Sequence, residues 1–119
     1  MPLVSILMPV RDDLRTLPDC LESIQKQSLK DWELVVVDDG SSDGSGEFLQ
    51  ETAAKDSRIR VFRERPRGIV AALNSGLATC AGAYVARMDA DDRMRPERLE
   101  MQFAFLPVSY THLRAHETR

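Results

Sequence analysis

Four apolar runs divide the chain, and each has the length and composition of a β-strand. Residues 3–10 and 33–37 consist almost entirely of Leu, Val, Ile and Met, as in strands buried on both faces of a parallel sheet. Residues 59–62 alternate between apolar and polar side chains, which predicts a short strand near a sheet edge. Residues 81–86 form the predicted fourth strand. Pro9 is expected to end the first strand, because proline has no N–H to donate into a central ladder.

Between these strands, apolar residues recur at helical spacing. The first helix is predicted over 17–27, with Thr16 as its cap and Pro18 in its first turn, where a missing N–H is harmless. A second helix must end before Asp56, and Gly68 opens a third. The predicted apolar face of the third helix consists of Ile69, Ala72, Leu73, Gly76 and Leu77.

This alternation of strands and helices predicts an α/β domain with right-handed crossovers. The strand order 3-2-1-4, which is usual in mononucleotide-binding folds, makes the first, second and fourth strands neighbours. Polar residues follow the ends of those three strands, at 9–13, 38–39 and 89–92. A turn and a further helix beginning near Pro96 come after the last group. The sequence therefore predicts one crevice at the carboxyl edge of the sheet.

The composition is that of one globular domain. The chain has 119 residues, 43% hydrophobic and 29% charged, and no apolar run approaches the roughly 18 residues of a membrane span. A start without a signal peptide favours the cytoplasm, and a net charge of −3 without a basic stripe argues against nucleic-acid binding. Cys20 and Cys80 lack metal-ligand spacing, so we expect two partly buried thiols in a reducing compartment.

The C-terminal tail breaks the pattern. From about Pro107 onward it shows no periodicity that continues the preceding helix, and it resembles an in-frame translation of a sequencing-library adapter. We therefore take 1–106 as the natural part and 107–119 as a non-native tail, which is excluded from the fold prediction. Both histidines, His112 and His116, lie in this tail. Their spacing would suit two metal ligands on a helix, but an artefact explains them better.

The adjacent carboxylates of Asp38 and Asp39 follow the second strand. Neighbouring side chains at a strand end point to opposite sides, so one can face the crevice while the other caps the following loop. A carboxylate in such a crevice commonly selects a nucleoside. The alternative is that both residues serve only the turn before the second helix.

Asp89 and Asp91 are separated by one small residue, Ala90. In an extended segment the two carboxylates point the same way, which suits a hard divalent ion with open positions for phosphate oxygens. Asp92 is expected to cap or to support the other two. The alternative is a solvated acidic turn that introduces the next helix.

Five segments in order carry a family resemblance: Val4–Val10, Leu34–Gly44, Ala71–Leu77, Arg87–Asp92 and Pro96–Leu99. Together they resemble the family 2 inverting glycosyltransferases of the GT-A fold, over residues 3–105. The resemblance implies a Rossmann-like three-layer α/β sandwich with a mostly parallel sheet of order 3-2-1-4, here truncated. A lone Asp-x-Asp would be weak evidence, whereas the ordered series is specific.

The resemblance also assigns roles to residues. Pro9 and Val10 would line the base pocket through their backbone, Asp38 would bind the base, and Asp39 would lie near the ribose. Asp89 would approach the ribose or the metal. The resemblance implies that Asp89 and Asp91 bind Mn²⁺ or Mg²⁺.

Three more residues belong to the implied nucleotide site: Arg67, Asn74 and Ala90. For Asn74, helix packing is an equally good interpretation. The implied reaction transfers a sugar from a nucleotide diphosphate, expected to be UDP, to a hydroxyl of a glycan or lipid-linked acceptor. The implied setting is cell-wall or polysaccharide biosynthesis.

The sequence departs from the family where its members continue into an acceptor site and a carboxylate general base. No residue here can be nominated as the base, so the chain is expected to be inactive alone. Two other classes remain as alternatives. A phospho-acceptor receiver domain would need a lysine near a final strand, and none follows Lys55. A sugar nucleotidyltransferase would need a glycine-rich loop at 9–13, which contains no glycine.

Overall fold

The computed structural model describes residues 2–103 and the backbone of residues 115–118. Its strands are β1 (Val4–Val10), β2 (Trp32–Asp38), β3 (Ile59–Arg63), β4 (Tyr84–Arg87) and β5 (Ala115–Thr118). All of them pair in parallel, in the order β3-β2-β1-β4-β5. The predicted order 3-2-1-4 is confirmed, with β3 at an edge as expected. The additional strand β5 falls in the segment that was excluded from the fold prediction.

The helices are α1 (Leu17–Gln25), α2 (Ser45–Lys55), α3 (Ile69–Thr79) and α4 (Arg98–Phe103). The first three lie where the spacing of apolar residues predicts them, although α1 ends earlier than predicted. The fourth, expected from Pro96, begins two residues later, at Arg98. None of the helices in the described part of the chain has the length and apolarity needed to cross a membrane.

Helices cover both faces of the sheet. On one face, α1 and α4 pack against β1 and β2 through a cluster that includes Met8, Leu21 and Leu99. On the other face, α3 packs against a cluster around Leu7 and Val35. The two central strands β1 and β2 are therefore buried on both sides, which explains why their sequences are continuous apolar runs rather than alternating ones.

Pro9 lies inside β1, opposite Val37, and does not end the strand as predicted. The pairing of β1 with β4 stops at Leu7 and Arg87. Backbone groups of residues two apart in a parallel strand point to the same side, so Pro9 faces the side that β4 has already left. Its missing N–H therefore leaves no ladder bond unmade.

The fourth strand begins at Tyr84 rather than at residue 81. The N–H of Ala81 donates to Glu33 at 2.7 Å, and the N–H of Gly82 donates to the hydroxyl of Ser5 at 2.7 Å. These side-chain bonds occupy the donors that a longer β4 would use in the ladder.

A buried polar network lies at the amino edge of the sheet. Glu33 accepts hydrogen bonds from Ser5, at 2.5 Å, and from the N–H of Ala81, and Arg60 pairs with it at 2.8 Å. Burial of Glu33 raises the pKa of its carboxyl, but the bonds from Ser5, Ala81 and Arg60 outweigh this and leave the pKa below its usual value. The network joins β1, β2 and β3 at the edge opposite the crevice.

Candidate functional site

A cavity of about 440 Å³ opens at the carboxyl edge of the sheet. It is lined by Pro9, Val10, Arg11, Asp13, Asp39, Gly68, Ile69, Ala72, Asp89, Ala90 and Asp91. These residues come from the ends of β1, β2 and β4 and from the start of α3. The structure thus brings together the three polar groups that the strand order predicts at one crevice. Of the predicted site residues, Asp38, Arg67 and Asn74 do not line it.

Asp38 is buried beneath the loop that follows β2. Its Oδ1 accepts the N–H of Ser41 at 3.0 Å, and its Oδ2 lies 3.4 Å from Nε of Arg63. These contacts show that Asp38 caps the turn and pairs with an arginine of β3. Only 1% of Asp38 is exposed. The adjacent carboxylates do point to opposite sides, and the one that lines the cavity is Asp39.

Asp39 connects the end of β2 to the start of α3. Its two oxygens accept the backbone N–H groups of Arg67, at 2.8 Å, and Gly68, at 3.0 Å. Nη1 of Arg11 lies 3.8 Å from Oδ2. Each carboxylate oxygen can accept more than one hydrogen bond, so Asp39 can hold the loop and still accept a donor group from a ligand.

The side chains of Arg67 and Asn74 lie away from the cavity lining. The guanidinium of Arg67 donates to Glu64 at 2.8 Å and to the hydroxyl of Ser75 at 3.1 Å. Arg67 reaches the site through its backbone alone, by its bond to Asp39. Asn74 is exposed on α3.

The acidic segment after β4 gathers three carboxylates. One oxygen each from Asp89, Asp91 and Asp92 lies within 4.8 Å of the others, and all three residues are exposed. The N–H of Asp92 donates to the carbonyl of Asp89 at 3.1 Å, so the segment forms a tight turn. Arg87 donates to Oδ1 of Asp89 at 3.1 Å. Clustered carboxylate oxygens are the ligands that Mg²⁺ and Mn²⁺ prefer, so this donor set fits such an ion.

Five cavity residues were not predicted as site residues: Arg11, Asp13, Gly68, Ile69 and Ala72. Arg11 and Asp13 belong to the polar group that was predicted to reach the crevice, and their charge was the available signal. Ile69 was predicted on the apolar face of the third helix, but it is 52% exposed. Ile69 lies in the first turn of α3, where the helix borders the open cavity, whereas Ala72, one turn later, is buried.

Two loops at the cavity rim are bonded to each other. The N–H of Asp12 donates to the hydroxyl of Ser41, and the N–H of Ser42 donates to Asp12, both at 2.8 Å. The N–H of Leu14 donates to Asp43 at 3.0 Å. Asp12 has φ +54°, in the left-handed region that few residues other than glycine adopt. These reciprocal bonds hold that backbone in place and fix the wall that carries Arg11.

Cys20 lies beneath the acidic segment, and its Sγ is 3.8 Å from the carbonyl oxygen of Asp89. Burial raises the pKa of the Cys20 thiol to about 12, and the negative charges of Asp92, Asp91, Asp13 and Asp89 act in the same direction. The thiol therefore stays protonated at neutral pH and is a poor nucleophile. Cys20 and Cys80 are both buried free thiols, more fully buried than expected, and the reducing compartment stays a prediction.

Comparison with protein families gives a match over most of the chain. The family described as Glycosyl transferase family 2 matches residues 5–109. EpsE of Bacillus subtilis, a glycosyltransferase by name, is 42% identical over 107 residues, which cover 88% of this chain and 38% of EpsE. Chondroitin synthase of Escherichia coli is 35% identical over 100 residues, which cover 84% of this chain and 15% of that protein. The chain thus spans well under half the length of these relatives.

Solved structures resemble the fold closely. TarS 1-349 of S. aureus has a TM-score of 0.77 at 25% identity, with 84% of this chain and 31% of that chain covered. The same TarS fragment has been crystallised in complex with UDP. The mannosyltransferase PcManGT from Pyrobaculum calidifontis, in complex with GDP-Man and Mn²⁺, has a TM-score of 0.75 at 28% identity, with 87% and 31% covered. These likenesses confirm the predicted GT-A type of α/β fold.

Proposed function

Since the chain belongs to glycosyl transferase family 2, we propose that its cavity binds a nucleotide-diphosphate sugar. The proposed reaction of the full-length protein is transfer of that sugar, with inversion, to a hydroxyl of a glycan or lipid-linked acceptor. The observation that carries the proposal is one cavity lined both by Asp39 and by the Asp89 and Asp91 pair. Asp39 would accept hydrogen bonds from the nucleoside, and Asp89 and Asp91, in the same cavity, would bind a metal ion and the diphosphate.

Nucleoside binding is assigned to the wall formed by β1 and β2. Pro9 and Val10 offer backbone and apolar surface, and Asp39 offers a carboxylate that is already oriented by two backbone N–H groups. We assign the acceptor role for the base or ribose to Asp39 rather than to Asp38, because Asp38 is buried away from the cavity. UDP is the proposed nucleotide, and the complex of the similar TarS fragment with UDP supports this.

Diphosphate binding is assigned to the acidic turn. Asp91 and Asp89 would hold Mn²⁺ or Mg²⁺, and the Mn²⁺ in the similar PcManGT complex supports a divalent ion. When bound, the ion would stabilise the negative charge that develops on the leaving diphosphate. Ala90 between them is small, which leaves room for phosphate oxygens next to the chain.

The 119-residue chain is proposed to bind the donor without turning it over. Deprotonation of an acceptor hydroxyl needs a general base within hydrogen-bonding reach, and we assign no residue of 1–106 to that role. The chain corresponds to a minor part of its relatives' length. Sugar transfer by the purified chain, with donor hydrolysis excluded, would contradict this part of the proposal.

A thermal unfolding assay tests the proposed donor site. UDP with Mn²⁺ should raise the midpoint, because a ligand at 100 times its Kd stabilises the folded state by about 2.7 kcal/mol. For a domain of this size that is a shift on the order of 10 °C. ADP and GDP serve as matched nucleotides, with smaller shifts expected. No shift with any of the three in the presence of Mn²⁺ would contradict a nucleotide site.

A further inference from the structure

One face of α1 carries polar side chains beside its apolar ones. Thr16, Cys20, Ser23 and Gln27 succeed one another at intervals of four, three and four residues, which keeps them on one side of the helix and of the turn that follows it. This polar stripe of α1 does not face solvent, since Cys20, Ser23 and Gln27 are buried. It faces the chain segment that runs from Asp89 to Leu99.

Each member of the polar stripe contacts backbone atoms of that segment. Gln27, which is 0% exposed, donates to the carbonyl of Arg95 at 2.6 Å and accepts the N–H of Leu99 at 3.1 Å. Ser23 accepts the N–H of Met94 at 2.9 Å. Sγ of Cys20 lies near the carbonyl of Asp89, as described above. The stripe thus fixes the backbone of the segment that carries the acidic turn.

Thr16, at the end of the stripe nearest the cavity, is not used as an ordinary helix cap. It occupies the N-cap position of α1, where a threonine hydroxyl usually accepts an N–H of its own helix, but its side chain makes no such bond. Instead Oγ1 donates to the carbonyl of Ala90 at 3.0 Å, 74 positions along the chain, with the carbonyl of Asp13 at 3.3 Å as a longer alternative. Thr16 therefore makes no side-chain bond to an N–H of its own helix, and its shortest hydroxyl bond is to the acidic turn.

We propose that Thr16 is a positioning residue for the carboxylates of Asp89 and Asp91. The inference rests on the proposed donor site and adds to it a residue that does not line the cavity and acts through the backbone of the acidic turn. Ala90 lies between the two aspartates, so a bond to its carbonyl restricts the backbone from which both side chains project. Exposed carboxylates on a freely moving turn would lose more conformational freedom on binding an ion, and this loss weakens affinity.

Ser23 provides a matched control within the same stripe. It too is a small hydroxyl residue that bonds to the backbone of the segment, at Met94, but its contact lies beyond the acidic turn. Ser23→Ala should therefore lower the unfolding midpoint without changing the geometry at Ala90. Thr16→Ser keeps the hydroxyl, whereas Thr16→Val keeps the shape and removes the donor.

The experiment titrates Mn²⁺ into the 119-residue chain with UDP present and follows free Mn²⁺ by EPR, well below every variant's unfolding midpoint. Thr16→Val is expected to weaken Mn²⁺ binding about tenfold, the lower end of what the loss of a hydrogen bond that orients metal ligands costs. Here that bond acts through the carbonyl of Ala90, between the two proposed ligands. Thr16→Ser should stay within about twofold of wild type, and so should Ser23→Ala. Amide hydrogen exchange at Asp92 should accelerate in Thr16→Val and in no other variant. The N–H of Asp92 donates to the carbonyl of Asp89 within the acidic turn that Thr16 is proposed to hold.

Two results would overturn the inference while the donor site stands. One is wild-type Mn²⁺ affinity in Thr16→Val, and the other is an equal loss in Ser23→Ala, which would indicate general destabilisation. Absence of Mn²⁺ binding in the wild-type chain would overturn the proposed function and this inference together.

Discussion

The carboxylate of Asp39 accepts the backbone N–H of Gly68 at 3.0 Å. The residue directly after β2 thereby fixes the residue directly before α3, and Ile69, which begins α3, lines the same cavity. Gly68 has φ +94°, a conformation that favours glycine and turns the chain into the helix at this point. The carboxylate of Asp39 and the start of α3, which lines the cavity beside it, therefore depend on each other. A substitution at Asp39 should affect both the stability of the fold and the binding of a ligand.

Asp39→Asn is predicted to reduce both stability and UDP affinity. An amide has one acceptor oxygen, so one of the two N–H groups of Arg67 and Gly68 would face an NH₂ group. The cost should be about 1–3 kcal/mol of unfolding free energy, measured by urea denaturation. UDP affinity measured by calorimetry should fall in parallel.

Asp38→Asn is the matched control for that variant. The new side chain can still accept the N–H of Ser41, and it does not line the cavity. We expect lower stability, because the charge opposite Arg63 is lost, but UDP affinity within about twofold of wild type. Loss of UDP binding in Asp38→Asn with normal binding in Asp39→Asn would reverse the assignment.

Gly76→Ala is predicted to separate α3 from the sheet. A Cβ at this position would overlap Cδ1 of Leu7 and lie 2.9 Å from Cγ2 of Val37, both in the packed interior. Overpacking of this kind costs about 1–3 kcal/mol, which urea unfolding would detect. Asn74→Ala, on the exposed side of the same helix, should change stability by less than about 0.5 kcal/mol. Equal stability of Gly76→Ala and wild type would show that α3 does not pack as described.

Glu33→Gln is predicted to lower stability at neutral pH by about 2 kcal/mol, because the charged hydrogen bonds to Ser5 and Arg60 are lost. The folded pKa of Glu33 lies below its ordinary value of 4.5. Unfolding therefore takes up a proton in acid, so the stabilisation is complete above about pH 4.5 and disappears as the pH falls through the folded pKa. Wild type and Glu33→Gln should converge in stability toward pH 3, as measured by urea unfolding. A constant difference from pH 7 to pH 3 would contradict the network's role.

Cys20 is predicted to resist alkylation while the protein is folded. Its thiol is buried and has a pKa raised to about 12, so the reactive thiolate is nearly absent at pH 8. Iodoacetamide should modify neither cysteine until denaturant is added, as mass spectrometry would show. Rapid labelling of Cys20 in the native chain would mean that the region under the acidic turn opens readily.

Much of the fold was predictable because β1, β2 and most of β4 are buried. Continuous apolar runs, with Pro18 and Gly68 at helix starts, identify strands and helices without reference to distant contacts. The convergence of Val10, Asp39 and Asp89 at one cavity follows from the parallel sheet order alone.

What the sequence could not predict depends on long-range contacts. Of the two adjacent aspartates, Asp38 lies opposite Arg63 in the register of β2 and β3 and forms an ion pair with it, and no local pattern in the sequence reveals that pairing. Arg67 contributes a backbone N–H, and no side-chain pattern reveals that. Thr16 carries the spacing of an N-cap, and only the structure shows its bond to Ala90.

The most direct test of the account is calorimetric titration of UDP into the 119-residue chain, with Mn²⁺ and again with a chelator. We predict that chelation and Asp91→Asn each weaken UDP binding by more than about tenfold. Asp19→Asn, which removes an exposed carboxylate of α1, should bind UDP like wild type. Equal UDP affinity with and without metal, or in Asp91→Asn, would contradict a metal–diphosphate site at the acidic turn.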